Sequence, residues 1–184
     1  MTHTKQICSL LRERSTEHTK AVHLMYDNGL YGQVISILRQ ELDSLVRTVF
    51  LLSNTDLMVR DHYIGQTLSN SKWTYPGTKS VITDKNMVDI ANNLFGWTKS
   101  VYKLGCAFIH LSPMSDYNNE NPFLRLSTDE ISDIKQHLNN YHGFPMSYDL
   151  TMDTVCPYLI MVFEKVSGNL GCYIEDLEMN KKLI

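Results

Sequence analysis

Apolar residues recur at three- and four-residue steps along most of this chain, the period of helices that bury one face. The stripe is widest from Leu30 to Leu52, where Val34, Ile35, Leu38, Leu42, Leu45, Val46, Val49 and Phe50 fall on one side. From Asp84 to His110 the same period runs through Met87, Ile90, Ala91, Leu94, Trp97, Val101, Leu104 and Phe108, and predicts one long helix capped by Thr83-Asp84. Residues 5–28 predict a first helix with an interrupted stripe, stopped by Asn28-Gly29. A shorter helix, 56–69, follows a break at Ser53-Asn54-Thr55-Asp56. Ser127-Thr128-Asp129-Glu130 has the pattern of a capping box and opens a helix to about Tyr141. Thr151 or Asp153 opens the last helix, to about Leu177, with Pro157 in its first turns. Turn-forming residues make loops of 69–83 and 113–126, the first packed down by Trp73 and Tyr75. Six helices without a convincing strand predict an all-α helical bundle with two long loops, one domain over 1–184, in which the 30–52 and 84–110 helices are central neighbours.

Composition narrows the function more than the fold. Hydrophobic residues make up 43% and charged residues 20% of 184, which is globular. A net charge of −3 is not that of a strongly basic nucleic-acid module, so contact with RNA would need a local basic patch. Cys8, Cys106, Cys156 and Cys172 form no Cys-x-x-Cys pair and sit in apolar stretches, as free thiols of a reducing compartment do. The chain start shows no basic-then-apolar leader, and no apolar run approaches the ~20 residues of a membrane span. A cytoplasmic protein without a membrane partner is the expectation. His18 and His23, like His137 and His142, are five apart and not the four that aligns two ligands on a helix; Glu41, Asp43, Glu175 and Asp176 lack Glu-x-x-His repeats. There is no phosphate-binding glycine loop and no nucleophile elbow. The expectation is therefore no metal and no cofactor. The methionines read as core packing.

The candidate chemistry lies on two helices. Arg39 falls inside the apolar arc of 30–52, between Val46 and Phe50 on a helical wheel, and Asp43 and Arg47 continue the same edge at four-residue steps. Such residues form an intrahelical ladder at the core boundary, or line a cleft. On 84–110, Lys99, Lys103 and His110 fall on the polar side, and Lys103 and His110 share a stripe at about two turns' separation. A solvated face is one reading; the other is a phosphate site, in which an imidazole moves a proton and a lysine holds the phosphate as a point charge. RNA supplies its own nucleophile, the 2′-hydroxyl, so a base and a cation suffice for cleavage.

The segment Lys103-Leu-Gly-Cys-Ala-Phe-Ile-His110, with Leu38-Arg39-Gln-Glu41-Leu-Asp43-Ser-Leu-Val-Arg47 before it, resembles the HEPN superfamily (higher eukaryotes and prokaryotes nucleotide-binding). That family consists of small all-α bundles, often dimeric, with Arg-x(4–6)-His near a helix end; many members are RNases of toxin–antitoxin or antiviral defence systems. Lys103 stands here where the family has arginine. The resemblance covers about 30–165. It implies a metal-independent endoribonuclease with His110 and Lys103 as catalytic residues and Arg39, Arg47 and Lys99 as substrate-binding residues, working as a homodimer. The alternative it implies is a non-catalytic module that binds a nucleotide or a partner protein such as an antitoxin. A second Arg-x(5)-His, Arg12 to His18, lies early in the first helix and reads as a solvated charged face.

Overall fold

A computed structural model describes residues 2–109 and 116–183. Helix α1 (His3–Asp27) is capped by Thr2 and ends at Asn28, with Gly29 in the left-handed region. α2 (Tyr31–Ser53) follows directly, then α3 (Leu57–Leu68), whose cap is Asp56. α4 (Asp84–Phe95) and α6 (Thr128–His142) open on complete capping boxes, Thr83 with Asn86 and Ser127 with Glu130. α5 (Thr98–Ile109) lies between them in sequence. A short α7 (Met152–Val155) and a 3₁₀ turn holding Pro157 lead into α8 (Leu159–Glu178). Among the described residues the only β-like pairing is the isolated bridge Thr74–Val81, so the all-α bundle stands. Among these residues, too, no helix is long and apolar enough to cross a membrane.

α2 is the axis of the bundle. Val34, Ile35, Leu38, Leu42, Leu45, Val46, Val49 and Leu52 are buried along it, and α1, α4, α5 and α8 pack around it. The 84–110 segment, as α4 and α5 together, is its most extensive neighbour, as expected, and α8 is the most extensive single helix against it, because Leu159, Phe163, Val166, Leu170, Ile174 and Leu177 give α8 an unbroken buried stripe. Those residues pack inside their own chain; of the last helix's apolar surface, Met161 stays exposed. Burial of Arg60 completes the end of α2. Its guanidinium donates to the carbonyls of Asn54 and Leu52 at 2.6 and 3.1 Å, satisfying helix-end acceptors that have no partner within the helix.

The predicted single helix 84–110 is two. Gly96, at φ 76°, adopts the left-handed conformation that ends α4, and its N–H returns to the carbonyl of Asn92. The Asn92 side chain then accepts from the N–H of Lys99 at 3.2 Å, tying the start of α5 to the end of α4. Thr98 is buried in the bend, 3.4 Å from the Val88 carbonyl. The bend turns Leu94 outward, to 47% exposure, while Met87, Ala91, Trp97 and Leu104 keep the core.

The 69–83 loop is fastened by Trp73, which stacks on Tyr63 at 5.3 Å and donates from Nε1 to the Thr67 hydroxyl at 2.7 Å. Tyr75 is exposed and does not share that role. Nor are all sulfur residues inside: Cys172 is exposed, as are Met58 and Met179.

α2 and α5 approach so closely that Gly105 has no room for a side chain. A Cβ built there would lie 2.5 Å from Cβ of Arg39, a backbone-anchored atom that cannot swing away. Gly105→Ala is therefore expected to cost about 1–3 kcal/mol by forcing the helices apart, read as a lower urea midpoint. An unchanged midpoint would show that the helices are not in this register.

Candidate functional site

Arg39 is buried as the sequence pattern indicates, among groups that match its charge but leave its Nε, and Oδ1 of Asp43, without a hydrogen-bond partner among the described residues. Its guanidinium lies 4.0 Å over the Tyr102 ring of α5, 3.8 Å from Asp43 and 3.6 Å from Asp84. Burial works against its charge, but the neighbouring Cys106 and Tyr102 side chains and Asp43 more than offset this and hold the guanidinium protonated. Arg47 donates to Asp43 and Asp84, both at 2.9 Å, and sits 5.3 Å over the Trp73 ring. The predicted Arg39–Asp43–Arg47 ladder thus exists, and Asp84 from the start of α4 completes it. Two guanidinium groups face two carboxylates, which leaves the network neutral.

The cations of α5 are also matched. Lys99 pairs with Asp89 at 2.9 Å. Lys103 pairs with Glu130 at 2.7 Å and is 58% exposed. The Lys103 ammonium, with the Ser127 N–H and hydroxyl, holds the Glu130 carboxyl down at about 2. Because that value lies below the ordinary one, the pair and cap stabilise the fold above about pH 4.5 and lose that contribution as pH falls toward 2. Glu130→Gln is expected to flatten this acid limb and to lower stability at pH 7 by the same amount, which is small because the pair is solvated; thermal unfolding across pH 2–7 tests both. His110 lies outside the described residues. The described end of α5 packs on the start of α2, where the Ser36 hydroxyl lies 3.5 Å from the Phe108 carbonyl and the Gly32 N–H donates to the Tyr117 hydroxyl at 3.3 Å. The predicted site residues therefore fall into three places: Arg39 and Arg47 in the ladder, Lys99 at the α4–α5 bend, Lys103 against α6.

The second Arg-x(5)-His is not the solvated face its sequence implies. His18 is 9% exposed, and its Nδ1 lies 2.7 Å from Oε2 of Glu41, a carboxylate with no exposure at all. Ser15 donates to the other Glu41 oxygen and lies 3.1 Å from the Ser167 hydroxyl. Facing a carboxylate, Nδ1 is the donor to Glu41, while Arg14 Nε approaches Nε2 at 3.5 Å. Arg12 points elsewhere, to Glu178 at 2.6 and 2.8 Å. The polar cluster joins α1, α2 and α8 at their centre.

Arg14 also lines a groove of about 810 Å³ between α1, α2 and the 69–83 loop. Arg47, Asp43 and Asp84 form part of its floor; Lys72, Asn70 and Ser71 are on the loop side; Leu10 and Leu11 give it apolar surface. Arg14 and Lys72 have no carboxylate within 4.0 Å among the described residues. This groove was not visible in the sequence, where Arg14 and Lys72 are 58 positions apart. No group of three or more His, Cys, Asp or Glu among the described residues is placed to hold a metal. Comparison of the chain with protein-family models, with curated proteins and with solved structures finds no match.

Proposed function

We propose that this chain is a HEPN-like helical domain that binds a phosphate-bearing ligand, a nucleotide or an RNA segment, in the groove between α1, α2 and the 69–83 loop. The observation that carries this is the distribution of paired and unpaired cations. Arg39, Arg47, Lys99 and Lys103 each face a carboxylate, and a phosphate would have to displace it. Arg14 and Lys72 face none, and both line the groove, Arg14 from α1 and Lys72 from the 69–83 loop. Phosphates in the groove gain charge-assisted hydrogen bonds from these two cations, and Leu10 and Leu11 offer a surface for a base. The same distribution favours a binding module over a nuclease built on Lys103.

The test is binding of labelled single-stranded RNA and of mononucleotides across a salt series, beside incubation of a mixed RNA pool in EDTA. Arg14→Ala and Lys72→Ala are each expected to weaken binding roughly tenfold and to lower the salt slope by about 0.7, one phosphate contact on a single strand. Lys103→Ala should leave both unchanged, and the RNA pool should stay intact. Cleavage that is lost in His110→Ala would overturn the non-catalytic reading in favour of the endoribonuclease. Unchanged binding in Arg14→Ala and Lys72→Ala would remove the groove. Homodimerisation belongs to the same proposal: light scattering at micromolar concentration should give twice the monomer mass of 21.2 kDa, and a monomer mass removes it.

A further inference from the structure

A pocket of about 380 Å³ lies at the end of the bundle where α1 starts, between the first turn of α1, α3 and the end of α8. Its buried walls are Arg60, Ile64 and Leu177; His3, Lys5, Asp61 and Asn180 stand exposed around them. Arg60 is 2% exposed, and only part of its guanidinium is matched. The Nε–Nη2 edge donates to the carbonyls at the end of α2, which turns Nη1 to the opposite side, and Nη1 has no hydrogen-bond partner among the described residues. Neither Arg60 nor Lys5 has a carboxylate within 4.0 Å among those residues. Burial pushes the Arg60 guanidinium below its usual range, as it does where no counter-charge offsets desolvation. A buried donor left unmet costs stability, and a charged one costs most. The start of α1 adds donors of its own. Thr2 accepts from the Lys5 N–H, but the His3 and Thr4 N–H groups, at the first two helical positions, have no partner within the helix. The positive end of a 25-residue helix thus opens beside two unmatched cations.

We propose that this pocket binds a phosphate group, held by the Lys5 ammonium and the His3 and Thr4 N–H groups, with the Arg60 guanidinium as its buried counter-charge. Of the two carboxylates on the rim, Glu178 is taken by Arg12 at 2.6 and 2.8 Å. Lys5 and Arg60 then stand against Asp61 alone, and the helix end makes the site positive. A carboxylate presents its two oxygens on one edge, whereas a tetrahedral phosphate offers oxygens to donors from α1 and α3 together. The pocket shares no residue with the groove between α1, α2 and the 69–83 loop, so the proposal does not rest on that site.

Inorganic phosphate and glycerol 3-phosphate are the probes, in a phosphate-free buffer at fixed ionic strength. Phosphate should shift the amide resonances of His3 and Thr4 and the Arg60 Nε–H, and raise the unfolding temperature. Glycerol 3-phosphate binding as well as phosphate identifies the group as part of a larger ligand; phosphate binding alone identifies the free ion. Acetate should shift these resonances far less. Lys5→Gln should weaken phosphate binding roughly tenfold, the scale of a charge-assisted contact. His3→Pro should weaken it several-fold and still fold, because proline suits the first helical position and Thr2, at φ −71° and ψ 155°, already has the extended backbone that precedes a proline. These two exposed positions carry the test because Arg60 also ties down the end of α2. Arg14→Ala and Lys72→Ala should leave the shifts in place, which separates this pocket from the groove. Phosphate shifts confined to the groove, acetate binding as tightly as phosphate, or undiminished binding in both Lys5→Gln and His3→Pro would overturn the proposal.

Discussion

Replacing His18 with leucine is expected to cost the fold about 3–5 kcal/mol, more than most single changes in a core, because of what it leaves behind. The Glu41 carboxylate has no exposure, and His18 Nδ1 at 2.7 Å is one of its two hydrogen-bond donors. Without the imidazole, Ser15 alone faces a charge that water cannot reach. The penalty comes from the uncompensated group and not from the pair itself, since removing both partners removes the desolvated charge as well. The double variant His18→Leu/Glu41→Leu should therefore be more stable than His18→Leu alone. A double-mutant cycle by urea unfolding measures this. A loss below about 1 kcal/mol in His18→Leu, or a double variant no better than the single one, would mean that Glu41 reaches solvent.

The same cluster shows what sequence reading can and cannot deliver here. Helix existence and several ends were legible because their signals are local. Asn28-Gly29, Thr83-Asp84 and Ser127 with Glu130 each act within four residues, and all three stand where the pattern placed them; the Asn86 half of the Thr83 box came only from the structure. The bend at Gly96 was hidden by its own success: Ala91, Trp97 and Leu104 return to the core on both sides of it, so the apolar period runs on as if the helix did. The signal was Gly96 in a helix-ending position, followed by Thr98. His18 was obscured by Arg12, Glu13, Arg14 and Glu17 around it. Yet Ile7, Leu11, Ser15, His18 and Val22 follow one another at three- and four-residue steps, so the interruption of the α1 stripe is itself the buried polar patch. Glu41, within the Leu38–Leu42–Leu45 arc of α2, is its counterpart. Two polar gaps in two buried stripes are a readable hint that they face each other. Charge pairing was not readable in this way. Lys103 and Glu130 are 27 positions apart, and Arg47 and Asp84 are 37 apart, so a cation that looks available in the sequence meets its carboxylate only in the fold.

Leu42→Ala should destabilise by roughly 2–5 kcal/mol, which for a chain of this size lowers the melting temperature by roughly 4–20 °C. Leu42 has no exposure and lies midway along α2. The lost transfer energy of the side chain sets the lower part of that range; the cavity left behind sets the rest. Collapse around that cavity is restricted because α2 is held by α1, α4, α5 and α8 together, and movement toward the gap on one side opens contacts on another. The upper half of the range is therefore expected. Leu94→Ala is the matched control. The sequence period places both leucines on core faces, but the bend at Gly96 leaves Leu94 nearly half exposed, so its truncation should stay within about 0.5 kcal/mol. Urea unfolding of the two variants, with unchanged dependence on denaturant, gives the comparison directly. A Leu42 loss under 1 kcal/mol would contradict α2 as the enclosed axis, and a Leu94 loss as large as that of Leu42 would restore the single long helix.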